Sequence, residues 1–136
     1  MSKLRPEIDI TELNARGKEY LPGYLDIQLT SLTQGAANSR MPVRKLHFAP
    51  NDFLHAASVV ALADTTCGYA TMAHLPDGAA SFTTIELKSN HLGTIKEGGI
   101  ACVATGQHLG RTTQVWDAVV TDETSGRKIA LFRCTQ

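Results

Sequence analysis

The chain has no excess charge of either sign: 13 Lys and Arg balance 13 Asp and Glu over 136 residues. That neutrality removes the electrostatic footprint of a nucleic-acid-binding protein. Long apolar runs are also missing, and none approaches the ~18 residues of a membrane span. The opening Met1-Ser2-Lys3-Leu4-Arg5-Pro6-Glu7 lacks the apolar stretch of a secretory leader. Cysteine is sparse and odd in number, at Cys67, Cys102 and Cys134, without a Cys-x-x-Cys pair. This argues against a disulfide framework or a cysteine metal centre, and predicts buried, reduced thiols in a cytoplasmic protein. No repeat, low-complexity tract or linker divides the chain. A hydrophobic fraction of 43% suits one folded core. The expectation is a single domain over residues 1–136, with residues 1–22 as an N-terminal helical extension.

The chain does contain one long apolar helix with a carboxylate in its middle. From His55 to Ala70, Val59, Leu62, Ala63, Thr66, Tyr69 and Ala70 recur at helical spacing, and Val60, Ala61 and Cys67 fill the other faces. A helix apolar all round is expected to be buried all round. An ionised Asp64 there is costly unless it is paired or used. The plain alternative is an Asp at the helix edge, solvated or bonded to a hydroxyl such as that of Thr65. His55 and Asp64 lie nine residues apart, hence on roughly opposite faces and ~13 Å apart along the axis. If both serve one site, a second copy of the chain has to close it.

The rest of the pattern is a short helix and six strands. Residues 10–20 form an amphipathic helix, with Thr11 as its cap and Ile10, Leu13 and Tyr20 as the docking face; Leu21-Pro22-Gly23 ends it. Tyr24 to Thr30 alternates as a strand, and a weaker one runs from Ala37 to Leu46. The long helix is expected over residues 53–74, followed by four alternating strands. Thr83, Ile85 and Leu87 line one face of the first. Ile100, Cys102 and Ala104 share a face in the second, and Trp116, Ala118 and Val120 in the third. Ile129 and Leu131 oppose Ala130, Phe132 and Cys134 in the last. Short links make neighbours antiparallel, so the class is α+β, an antiparallel sheet on a helix.

His55-Ala56-Ala57, a short apolar stretch and Leu62-Ala63-Asp64 carry a resemblance to a known family. So do Ser81 to Asn90, Gly110-Arg111-Thr112 and Gly126 to Ala130 in the strand region. From about residue 24 to 135 the chain resembles the hotdog-fold acyl-CoA thioesterases of the phenylacetate-pathway and 4-hydroxybenzoyl-CoA type. The resemblance implies a long central helix wrapped by a curved six-stranded antiparallel sheet. It implies hydrolysis of an acyl-CoA with an aromatic or medium-chain acyl group, by a homodimer or dimer of dimers with its sites at the subunit interface. It requires no cofactor or metal, coenzyme A entering only as part of the substrate.

Residue by residue, the resemblance makes Asp64 of the opposite subunit the nucleophile or general base. The Ala57 backbone N–H becomes the donor to the thioester oxygen, with Ala56 beside it, and His55 orients the thioester. Thr65 is a secondary contact near the carboxylate. Asn90, His91, Gly110 and Arg111 are implied for coenzyme A, with Lys88, Lys96 and Arg127 as weaker phosphate partners. Three positions depart from the family. Ala57 stands where Gly is usual, Gly93 replaces a basic residue, and Ala49 lies where a Gln or Asn contacts the thioester. Asn51 is the candidate substitute, its plain role being a turn residue. Tyr69, Met72, Phe53 and Trp116 are candidate pocket walls or plain core. An enoyl-thioester hydratase or dehydratase, and a non-catalytic thioester-binding module, are the alternative functions.

Overall fold

The computed structural model describes all 136 residues. In chain order it contains α1 (Ile10–Gly17), α2 (Leu21–Tyr24), β1 (Gln28–Thr33), β2 (Ala36–Pro42), a 3-10 turn (Lys45–His47), α3 (Ala56–Ala73), β3 (Glu86–His91), β4 (Gly99–Leu109), β5 (Gln114–Asp122) and β6 (Lys128–Thr135). The six strands form one antiparallel sheet in the order β1-β2-β4-β5-β6-β3. It curves around α3, and Trp116, Leu62, Met41, Ile100 and Val120 are fully buried between them. No helix is long and apolar enough to cross a membrane.

Several sequence expectations shift at the N-terminal end. Asp9, not Thr11, caps α1, accepting from the Glu12 N–H; Thr11 lies inside the first turn, past the cap position. Leu13 is buried as expected, but Tyr20 is exposed because α1 stops at Gly17. Leu21-Pro22-Gly23 does not merely terminate a helix. With Tyr24 it forms the separate turn α2, Pro22 being tolerated where no helical N–H is needed. β1 therefore starts at Gln28 rather than Tyr24, because Asp26 is held at φ 61°. Asn14 of α1 then binds both the N–H and the C=O of Leu29 at 2.9 Å, satisfying part of an edge strand.

β2 stops at Pro42 instead of Leu46. Its inward positions are Ala37, Ser39 and Met41, and the buried Ser39 hydroxyl is bonded to Thr66 of α3. That polar pair explains the weak alternation in the sequence. α3 begins at Ala56 rather than 53, since Leu54 is bridged to Phe48 and His55 caps the helix in an extended conformation. The expectation of burial all round is only half met. The sheet buries Ser58, Val59, Leu62, Ala63, Thr66, Cys67, Ala70, Thr71 and Ala73. Val60, Ala61, Asp64, Thr65, Gly68, Tyr69 and Met72 are half-exposed and share the opposite stripe.

β4 and β5 follow their alternation, and β6 does so from Ala130 to Cys134, departing only at Ile129. Val120 pairs with Ala130 and Thr121 with Lys128, leaving Ile129 as a bulge. Both Ile129 and Ala130 therefore point into the core, and Leu131 turns outward. β3 is shorter than expected and pairs only with β6. Of Thr83, Ile85 and Leu87, expected to share one face of this strand, only Leu87 falls within it, and Ile85 and Leu87 are 65% and 42% exposed. β3 is thus an edge strand with one unpaired side.

Beneath the sheet, His74 is buried between Trp116 and the β1–β2 turn. Its Nε2 accepts the Gly35 N–H, its Nδ1–H donates to Ala70 O, and its ring meets Trp116 edge-on at 5.3 Å. Gln114 bonds both the His74 carbonyl and the Trp116 indole N–H. The neutral ring satisfies every contact, and burial pushes its pKa below the ordinary 6.5. Because the unfolded chain binds this proton more readily, the stabilising contribution is full above 6.5 and is lost as pH falls below it. His74→Gln is expected to lower Tm at pH 7.5 but to flatten the decline of Tm on acidification, as measured by thermal melts between pH 7.5 and 5.

Candidate active site

The half-exposed stripe of α3 opens into a cavity of about 450 Å³. Leu13 of α1, Tyr69 and Met72 of α3, and Phe82 form its apolar wall, while Asp64 and Gln136 supply polar atoms. Asp64 is the unusual member. One of its carboxylate oxygens is buried without any hydrogen-bond partner. Burial raises its pKa above the ordinary 3.8, and Gln136 draws it part of the way back. Thr65 lines the same cavity. A half-buried, under-bonded carboxylate in an apolar cleft is a group poised to take a proton or attack a carbon.

The helix start lies well away, ~10–13 Å along the axis from Asp64. There His55 is the N-cap, its Nδ1 accepting the Ala57 N–H at 2.9 Å. An accepting Nδ1 leaves the ring proton on Nε2 in the neutral tautomer. The Ala57 N–H is therefore occupied in the free chain, while the exposed Ala56 N–H has no partner in the protein. Asn51 spends its side-chain oxygen on the Phe53 N–H at 3.2 Å, a turn-forming contact ahead of the helix.

The remaining expected contacts are scattered within one chain. Asn90 lies in a groove on the outer sheet face with Lys88, Asp117 and Arg133, and His91 is exposed opposite Ala130. Gly110 and Arg111 line a separate cavity of about 270 Å³ by the β4–β5 loop. Phe82, Thr83 and Gln136 border both that cavity and the Asp64 cavity, so one wall separates them. Lys96 sits over the Phe53 ring at 5.1 Å, and Arg127 donates to the Thr94 carbonyl. Tyr69 and Met72 are pocket walls as expected; Trp116 is core and Phe53 is exposed.

Arg16, Leu13 and Gln136 reach the cavity from segments that carry no motif. Only the packing of α1 and the end of β6 against α3 places them there. The pattern of a central helix with a carboxylate, wrapped by six antiparallel strands, is matched by a family model for the thioesterase superfamily over residues 51–129. The chain belongs to the thioesterase superfamily. Among its relatives in this superfamily is the 1,4-dihydroxy-2-naphthoyl-CoA hydrolase of Escherichia coli. The two are 30% identical, the alignment spanning 95% of this chain and 93% of that one. A mutant of the thioesterase PA1618 of Pseudomonas aeruginosa superposes with a TM-score of 0.91 at 29% identity, over 97% of this chain and 94% of that one. The thioesterase HI1161 of Haemophilus influenzae gives 0.89 at 25% identity, covering 97% and 91%. The superfamily's hotdog fold is the fold of this chain, as the sequence resemblance implied.

Proposed function

We propose that this member of the thioesterase superfamily hydrolyses acyl-CoA thioesters, releasing a free acid and coenzyme A, in a dimer with its sites between subunits. The observation that carries this is the partnerless, buried oxygen of Asp64 in an apolar cavity of acyl size. Asp64 acts as nucleophile, forming a mixed anhydride as the thiolate leaves, which water then hydrolyses to the free acid, or as general base taking a proton from a water that attacks the thioester carbonyl and expels the thiolate directly. The developing oxyanion is received at a helix start, where the free Ala56 N–H, the Ala57 N–H and the helix dipole converge. The thioester oxygen takes the Ala57 N–H from His55, which turns aside to orient the substrate.

Within one chain these groups are separated by about two turns of α3. A second copy supplies the missing half. Support comes from β3, whose outer edge is unpaired, and from the exposed Ile85 and Leu87 and the open stripe of α3 beside it. By the family resemblance, Asn90, His91, Gly110 and Arg111 are assigned as coenzyme A contacts, and Asn51 as a thioester contact of the assembled site. The hydrolysis needs no cofactor beyond water. The three free thiols support a cytoplasmic location.

The test is thiol release from a panel of aryl- and alkanoyl-CoA thioesters. Retention of acyl-CoA without thiol release identifies a binding module instead. The panel also reads pocket length. The Tyr69 hydroxyl lies so close to Gly17 that there is no room for a Cβ there, so Tyr69 bridges α3 and α1 at the cavity that it lines. Tyr69→Ala is expected to move preference toward longer acyl chains by about tenfold in kcat/KM, the scale of a few methylenes in an apolar pocket.

A further inference from the structure

Gln136 follows β6 and is held as though the strand continued. Its N–H donates to Gln114 O at 2.8 Å, and its C=O accepts the Gln114 N–H at 2.9 Å. The residue is 5% exposed, yet its side chain is not inert packing. The carboxamide oxygen accepts the Thr84 hydroxyl at 2.7 Å, and the carboxamide nitrogen donates to Cys134 Sγ at 3.3 Å. The opposite amide orientation would turn an oxygen toward the Asp64 carboxylate across the same cavity; the Thr84 hydroxyl can donate or accept, so it is this repulsion that selects the orientation.

A thiol sulfur is a weak acceptor, and an amide nitrogen carries two hydrogens. The donor capacity of Gln136 is therefore not exhausted by Cys134. Across the cavity, Asp64 has one buried oxygen with no partner. No hydrogen bond of normal length joins the two in the free chain. Catalytic hydrogen bonds are commonly long in the free enzyme and tighten when substrate expels water.

We propose that Gln136 is a positioning residue for Asp64: its carboxamide, itself fixed by Thr84 and Cys134, takes up the partnerless carboxylate oxygen and sets the orientation from which Asp64 acts. This rests on the thioesterase role of Asp64. The other ionisable groups facing the carboxylate are accounted for. Arg16 and Tyr69 line the cavity. Arg16 is paired with Glu12 at 2.7 Å. The Cys67 and Cys134 thiols lie behind Asp64; the bond to Cys134, then burial, pushes the Cys67 thiol well up, so it stays neutral. Gln136 is an uncharged amide donor on the wall of the same cavity, and it opposes the effect of burial on Asp64.

The decisive variant is Gln136→Met, which keeps length and bulk and removes the amide. In the dimer, kcat is expected to fall about tenfold with KM little changed, the loss of roughly one hydrogen bond made in the transition state. The acidic limb of the kcat profile moves to higher pH, because an unsupported carboxylate is protonated more readily. Carbon-13 NMR of the Asp64 carboxyl, assigned with Asp64→Asn, reads the same shift without reference to turnover. Thr84→Val, which frees the amide without touching β6, gives a smaller change in the same direction and serves if Gln136→Met does not fold. An Asp64 titration unmoved in both folded variants overturns the positioning role. Absence of thiol release from the wild type overturns the thioesterase role instead, and any part of Gln136 in catalysis with it.

Discussion

Asp64→Asn loses thiol release by about 10³-fold or more, the effect expected when a nucleophile or general base becomes an amide of the same shape. Asparagine neither forms an anhydride nor removes a proton from water. The same substitution leaves the fold intact, and this separates a catalytic carboxylate from a structural one. Burial raises the Asp64 pKa above 3.8, so the folded chain binds the proton more tightly than the unfolded chain does. The stability contributed by the protonated form is complete below 3.8 and is lost as pH rises through the folded-state pKa. At pH 7 the wild type carries the cost of an ionised, half-buried carboxylate, and Asp64→Asn does not. The variant is therefore expected to melt higher than the wild type at pH 7, with the difference disappearing near pH 3. Thermal melts beside a thiol-release assay check both halves. Equal release from the two proteins sinks the role of Asp64, and a large loss of Tm at pH 7 makes the residue structural.

The second large effect is complementation between two dead proteins. Ala57→Pro removes the N–H that the oxyanion would use. It places Pro in the first turn of α3, where no intrahelical bond is lost, just as Pro22 sits in the first turn of α2. Removing one such donor costs about 10²–10³ in kcat. Alone, Asp64→Asn and Ala57→Pro each leave every site defective. In a mixture that has exchanged subunits, half of the dimers are mixed. If each site joins Asp64 of one subunit to the helix start of the other, every mixed dimer has one intact site. The mixture recovers about a quarter of wild-type activity, as two-fold symmetry with random pairing requires. A site built within one chain yields no recovery, because every chain carries one lesion. Thiol release from co-refolded mixtures at several ratios, with size measured in parallel, distinguishes the two.

Where local pattern was strong, the chain could be read directly. α3 announces itself by its apolar period, and Asp64 stands out as its one carboxylate. The inward faces of β4 and β5 follow simple alternation from Ile100 to Ala104 and from Trp116 to Val120. The family resemblance extended this to the hotdog fold, which the structure and its relatives bear out. Where the reading missed, a non-local or strained feature intervened. Positive φ at Asp26, not a glycine that would flag a left-handed turn, moved the start of β1, and the pairing of Leu54 with Phe48 moved that of α3. The bulge at Ile129 turned that one residue of β6 into the core, because register depends on the neighbouring strand as well as on alternation.

The site shows the same division. Asp64 and Thr65 share one helix, so spacing alone put them together. His55 and Ala57 are also neighbours in sequence, but only the structure shows the imidazole occupying the Ala57 N–H. Asp64 and Gln136 line one cavity because β6 is brought beside α3 and β3 is carried past β4 and β5 to the far edge. The sequence by itself determined the helix, its carboxylate and the strand faces, since these follow from periods of 3.6 and 2 acting over a few residues. The tertiary structure alone decided which side of α3 stays open, which strand is left as an edge and which amide faces Asp64. Those depend on strand order and register, and such long-range pairings leave no mark in local spacing.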